Sequence, residues 1–177
     1  RFMQEDYSVS DHTWVSDDRI VFRAQKVFES ERERPIPLVM LYAVDYDGRR
    51  EDVLASPMAG TELFGAEILD PLVDDKKRAL ALTYTQSGTR QKIGKLNLRN
   101  GSLTETTSLP PRTLRVILDK DKNPRYAISS NTVGDNIVHY REPNSVKWDL
   151  IGEYEYPGGW LMPVAFSSDG SKVFVLD

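Results

Sequence analysis

Short runs in which apolar and polar residues alternate, separated by turns rich in Asp, Asn and Gly, recur along the whole chain. The clearest is PVAFSSDGSKVFVLD, residues Pro163–Asp177. Val164 and Phe166 lead into a turn at Ser168-Asp169-Gly170; after it Val173 and Val175 face one way, Phe174 and Leu176 the other. That alternation has the two-residue period of a strand, and an Asp-Gly turn between two such runs predicts a β-hairpin.

The same unit appears upstream. Residues 7–23 place Val9, Trp14 and Val15 before Asp17-Asp18, and Ile20, Val21 and Phe22 after it. Residues 24–37 break the pattern. Their later part, FESERERPIP, is charged and closes on Pro35 and Pro37, each without a backbone donor, which predicts a loop. From Leu38 the pattern returns as LVMLYAVDYDGRREDVLAS, with a hairpin turn at Asp47-Gly48. Residues 57–67 are expected to be a Gly-containing connector with a short helical turn at Leu63-Phe64.

A second unit starts at Ile68, turns at Asp74-Asp75, returns over Ala79–Tyr84 and turns again at Asn100-Gly101. The third runs from Leu114–Leu118 through a turn at Asp119–Pro124 to Arg125–Ser130. Its second hairpin is Asn136–Tyr140, a turn at Glu142–Ser145 and Val146–Tyr154. Pro157-Gly158-Gly159 then precedes the final hairpin.

The spacing is regular. First-hairpin turns fall near 17, 74, 121 and 169, and second-hairpin turns near 47, 100 and 143. Repeats of about 40–50 residues, each supplying four strands, are the signature of propeller blades. The fold expected is therefore all-β: an incomplete β-propeller of about three four-stranded antiparallel blades (7–56, 68–108 and 114–154) and the opening hairpin of a fourth (163–177). A β-sandwich is the alternative all-β reading; the recurrence of strands in fours, with turns in matching order, favours the propeller.

Composition narrows the function. Apolar residues make up 40% and charged residues 28% of the chain, ordinary for a soluble globular protein. A formal net charge of −4 argues against a nucleic-acid footprint, and no apolar run approaches the roughly 18 residues that span a bilayer. The Lys76-Lys77-Arg78 cluster follows Asp74-Asp75 and reads as a solvated turn. The absence of cysteine excludes disulfides, thiolate metal sites and a cysteine nucleophile. It leaves the compartment open, since many proteins of oxidising compartments also lack cysteine. Arg1 is not an initiator methionine, so the natural start and any signal peptide are not visible.

At WVSDDRIVF, LYAVDYDGRRE and FSSDGSKVFVLD the chain resembles the non-catalytic N-terminal propeller of prolyl oligopeptidase-family serine peptidases, in the dipeptidyl-peptidase and acylaminoacyl-peptidase-like bacterial branch. The FSSDGSKVFV hairpin is shared with TolB-type and WD-repeat-like propellers. The run YSVSDHTWVSDDRIVF, followed by LYAVDYDG, is more specific to the peptidase branch. In that family a propeller of about seven or eight blades caps a C-terminal α/β-hydrolase domain and restricts access to its triad.

The resemblance implies that this chain is about half of such a cap, with the hydrolase domain absent from it. The implied partners are the peptide substrate of the parent enzyme and the missing hydrolase domain. A second copy, associating through truncated blade surfaces, is a further expected partner. The rival reading is a stand-alone TolB- or WD-repeat-like scaffold that binds a protein.

No catalytic residue is assigned. The Gly-x-Ser-x-Gly elbow is missing from the sequence. His12 and His139 fall on predicted strands and read as edge or surface residues. Two histidines without cysteines make a poor zinc site, and no cofactor is expected. Asp119-x-Asp121-x-Asn123 starts like a calcium loop, but Pro124 replaces the required Gly and Ser130 the bidentate Glu, so it reads as a hairpin turn. Asp45-x-Asp47-Gly48 fails in the same way. Asn100-Gly101-Ser102 matches a glycosylation acceptor, yet the turn alone explains those residues. Trp14 is expected to pack between blades. Trp160, in GGWLMP, is the candidate contact for a partner or substrate, and the charged run Glu29–Arg34 reads as a solvated loop.

Overall fold

The computed structural model describes residues 7–28, 36–57, 63–84, 90–155 and 161–176. These hold fourteen strands and no helix. The strands are β1 (Tyr7–Ser16), β2 (Arg19–Phe28), β3 (Ile36–Asp45), β4 (Asp52–Ala55), β5 (Gly65–Asp70), β6 (Arg78–Tyr84) and β7 (Gln91–Asn97). They continue as β8 (Leu103–Ser108), β9 (Thr113–Leu118), β10 (Pro124–Ser130), β11 (Asn136–Tyr140), β12 (Asp149–Tyr154), β13 (Met162–Phe166) and β14 (Val173–Leu176).

Each strand pairs with its neighbour in sequence. Three four-stranded sheets result, β1–β4, β5–β8 and β9–β12, followed by the two-stranded β13–β14. The pairing is antiparallel, as the registers of β1–β4 and β9–β12 show. Each sheet is thus blade-like in strand number and order.

The molecule forms two compact units, Arg1–Ser87 with Lys92–Thr106 and Gly88–Gln91 with Thr107–Asp177. In the first unit, sheets β1–β4 and β5–β8 share one core. Val15, Val21, Leu41, Ala43, Leu54 and Ala55 of the first meet Ala66, Ala79, Ala81, Leu96 and Leu98 of the second. The run of alanines lets the backbones approach, while Leu54, Leu96 and Leu98 supply the bulk. Each fully buried leucine is worth about 1.5–3 kcal/mol over an exposed one.

Gly101 fixes one close approach in that unit. It has φ +68°, and a Cβ there would lie 2.1 Å from the Leu54 carbonyl oxygen. Only glycine fits both the angle and the space.

In the second unit Val116, Ile117, Ala127, Ile128 and Val138 are buried. The β13–β14 hairpin lies against this sheet, with the Phe166 ring 5.8 Å from that of Tyr126. Gln91 takes the place of a strand neighbour for Thr113. Its carboxamide donates to the Thr113 carbonyl at 2.5 Å and accepts from the Thr113 N–H at 2.7 Å.

Three expectations are corrected. The pattern does not break at residue 24: β2 runs to Phe28 and pairs with β3 from Arg19↔Asp45 to Phe28↔Ile36. Pro37 therefore sits inside a strand. It is tolerated because β4 pairs β3 only from Leu41 onward, leaving this end of β3 an edge. Leu63 and Phe64 form no helical turn; their backbones are engaged by Ser56 and Tyr84 instead.

Candidate functional site

The turn before the second strand of each sheet carries a carboxylate, because a short acidic side chain can accept the turn's own N–H groups. Asp119 shows this most fully. Its Oδ1 accepts from the backbone N–H groups of Asp121 and Asn123, both at 2.9 Å, and its Oδ2 from Arg125 Nε at 2.6 Å. Burial works against its ionised form, but those donors outweigh it and hold the carboxyl below the usual carboxylate range. The Asp119 carboxylate is thus occupied by protein donors, as a hairpin turn requires.

The most elaborate polar cluster centres on Arg19, the first residue of β2, which is only 3% exposed. Its Nε and Nη2 donate to the Leu98 carbonyl at 3.1 and 2.8 Å. Nη1 donates to Asp45 at 2.5 Å and to the Arg50 carbonyl at 3.1 Å, and Nη2 also pairs with Asp52. One guanidinium thereby joins β2, the β3–β4 turn and the turn after β7. The planar fork of arginine suits this work, since its five donors point outward in fixed directions.

Two further groupings bear on chemistry. In the first unit a cleft of about 20 Å³, room for little more than one water, is bordered by Asp11, His12, Arg23 and Ile68. Beside it Arg23 lies 3.7 Å from Glu67, and Tyr84 donates to Glu67 at 3.4 Å. Burial and the Glu67 charge push the Tyr84 phenol up to about 12, so it stays protonated. A pocket for a small-molecule ligand usually holds about 300–1,000 Å³, and this cleft is far smaller.

In the second unit Ser129 Oγ lies 3.1 Å from His139 Nε2. The distance would suit a nucleophile and its base, but the setting does not. Ser129 is 2% exposed near the end of β10, paired on both sides by β9 and β11, not on a sharp turn that offers its hydroxyl. Among the described residues no carboxylate bonds the ring. Burial holds His139 below its ordinary value, keeping it neutral. His139 is half-buried on β11, an inner strand, so it is not an edge residue as one half of the expectation had it. His12, exposed on the edge strand β1, meets that expectation.

No family model, curated protein or solved structure matches this protein.

The two described tryptophans differ in their surroundings. Trp14 is 53% exposed rather than packed between sheets. Trp148 is half-buried; its Nε1 donates to the Ser108 carbonyl at 2.9 Å, and the Arg141 guanidinium lies 5.5 Å from its ring centroid. Trp160 and Glu29–Arg34 lie outside the described residues. Among the described residues no group of acidic or histidine side chains has the arrangement to hold a metal ion. Among the described residues these contacts hold turns and sheets in place, and no nucleophile, base and oxyanion hole come together.

Sequence reasoning missed Arg19 and Gln91. A signal for Arg19 was present: it directly follows Asp17-Asp18 and opens an apolar run, so burying the run carries the guanidinium inward. Nothing in the sequence around Gln91 marks it.

Proposed function

We propose that the protein is an accessory β-propeller segment of a serine peptidase of the prolyl oligopeptidase type, gating peptide access to a catalytic α/β-hydrolase domain. The observation that carries this reading is the succession of four-stranded sheets, each with an acidic turn before its second strand. It occurs in a sequence whose YSVSDHTWVSDDRIVF and LYAVDYDG segments resemble that branch. The absence of a nucleophile–base–oxyanion constellation among the described residues fits a domain that selects substrates and leaves bond cleavage elsewhere. The selection is steric: a channel through stacked blades admits an extended peptide and rejects a folded protein. Fold resemblance alone does not certify function, so the test is on the gene product.

Reading the coding frame past Asp177 is the first test. A downstream Gly-x-Ser-x-Gly followed by Asp and His supports the peptidase; a stop codon, or further blades alone, supports a TolB- or WD-repeat-like scaffold. The second test uses the whole gene product. It is expected to cleave short peptides and spare folded proteins, and deletion of residues 1–177 is expected to remove that discrimination. An intact product that cleaves both equally well would refute the gating role. Self-association belongs to the same proposal, and a stable monomer in light scattering at high concentration would count against it.

A further inference from the structure

Asn100-Gly101 is the one Asn-Gly pair in the sequence. Such pairs are the most prone to imide formation, because glycine's backbone nitrogen is unhindered. Asn100 is exposed at the tip of the β7–β8 turn, and Gly101 is buried beneath it. The turn is tied at several points. The Gly101 N–H donates to the Asn97 carbonyl at 3.0 Å, and the Asn97 N–H to the Ser102 carbonyl at 2.8 Å. The Ser102 N–H donates to Asn100 Oδ1 at 3.0 Å. The Gly101 backbone abuts the Leu54 carbonyl, and the Leu98 carbonyl is gripped by Arg19.

We propose that Asn100 is a deamidation site controlled by the fold: the intact turn holds the reaction off, and release of the Arg19 clasp starts it. For reaction, the Gly101 nitrogen must leave its bond to Asn97, lose its proton to solvent base and swing onto Asn100 Cγ. A bond forms between that nitrogen and Cγ. The bond from Cγ to Nδ2 breaks, and Nδ2 takes a proton from water and leaves as ammonia. Water then adds to either imide carbonyl, giving aspartate or isoaspartate with no oxidant or reductant. The isoaspartyl product lengthens the backbone by one methylene in a turn with no spare room beside Leu54. The clasp then cannot re-form, and a transient opening becomes an irreversible loss of the native state.

The test follows the tryptic peptide that begins at Asn100, by mass and by isoaspartate content. Three samples are compared in mildly alkaline buffer: the native protein, the protein in graded urea, and a free peptide of sequence 97–103. The native protein is expected to convert at least about tenfold more slowly than the peptide, since protection scales with the free energy of local opening. Urea below the unfolding midpoint is expected to raise the rate, as is Arg19→Lys. Native conversion at the peptide's rate would overturn the proposal, and so would a peptide that does not convert. A folded Arg19→Lys protein no faster than wild type would do the same. If Arg19→Lys does not fold, the urea series decides: a rate flat until global unfolding removes the link to local opening.

Discussion

Arg19 and Arg125 hold matching places, at the start of the second strand of a four-stranded sheet and just after an acidic turn. They do different work. Arg125 folds back on its own turn, with Nε 2.6 Å from Asp119. Asp18, the acid nearest Arg19, is engaged by the Ser16 hydroxyl at 2.7 Å instead. Arg19 reaches past it to Asp45, Asp52 and the Leu98 carbonyl. A local motif therefore sets where the cation enters, and the packing around it decides what it holds.

The largest expected effect tests this difference. Arg19→Met takes the guanidinium donor from two partly buried carboxylates and from the Leu98 and Arg50 carbonyls, leaving the carboxylates only the longer ion pairs with Arg50 and Arg99, a loss of about 3–5 kcal/mol in urea unfolding. Arg125→Met leaves Asp119 its backbone donors and removes one charged hydrogen bond, about 1–3 kcal/mol. Native-state hydrogen exchange should place the first loss at the β3–β4 and β7–β8 turns and the second at the β9–β10 turn. Equal losses, or an Arg19 effect confined to β2, would contradict the clasp.

Two glycines sharpen the same contrast. Gly101 and Gly170 both have positive φ, +68° and +74°, but a Cβ at Gly170 would meet only the flexible Lys120 side chain, at 3.6 Å. Gly170→Ala should therefore cost just the left-handed backbone, about 1–2 kcal/mol. Gly101→Ala adds a collision with the Leu54 carbonyl and should cost more than about 2 kcal/mol, with loss of exchange protection around Leu54. A Gly101→Ala protein as stable as Gly170→Ala would mean that the close approach is not needed.

Strands and turns were legible because alternation and Asp-Gly or Asn-Gly pairs act over a few residues. The reading failed where long-range pairing decides. The extension of β2 to Phe28 is set by ten uninterrupted partners in β3, which outweigh Pro37 at the strand's open end. Trp14 looked like core because it is large, yet it is exposed while Val15, next to it on β1, is buried, since successive side chains of a strand point to opposite faces. His139 looked peripheral because it is polar, yet it lies on an inner strand with Ser129 as its partner. The site reading had the same limit. Spacing correctly read Asp119–Asn123 as a turn, while the reach of Arg19 across 79 residues to Leu98 left no local trace.

The smallest effect is the most specific, and it contrasts the turn acids Asp119 and Asp169. Both carboxyls are held below the ordinary range. The Ser167 hydroxyl and the Ser171 backbone and hydroxyl lower Asp169 to about 2, but that group is fully exposed and solvent screens what it gains. Asp119 is partly buried and bonded to a guanidinium that is itself only 12% exposed. A carboxyl with a depressed folded value stabilises the fold above its unfolded value, and that contribution disappears as pH falls through the folded one. Wild-type stability should thus decline between about pH 5 and about pH 2, with part of the slope owed to Asp119. Asp119→Asn keeps an acceptor for the turn N–H groups but carries no charge for Arg125. It should be less stable than wild type near neutrality, show a shallower acid slope and converge with wild type at the acid end. Asp169→Asn should leave the slope almost unchanged. Parallel urea midpoints for wild type and Asp119→Asn across that window would show that Arg125 gains nothing from the Asp119 charge, and would reduce the turn to its backbone hydrogen bonds.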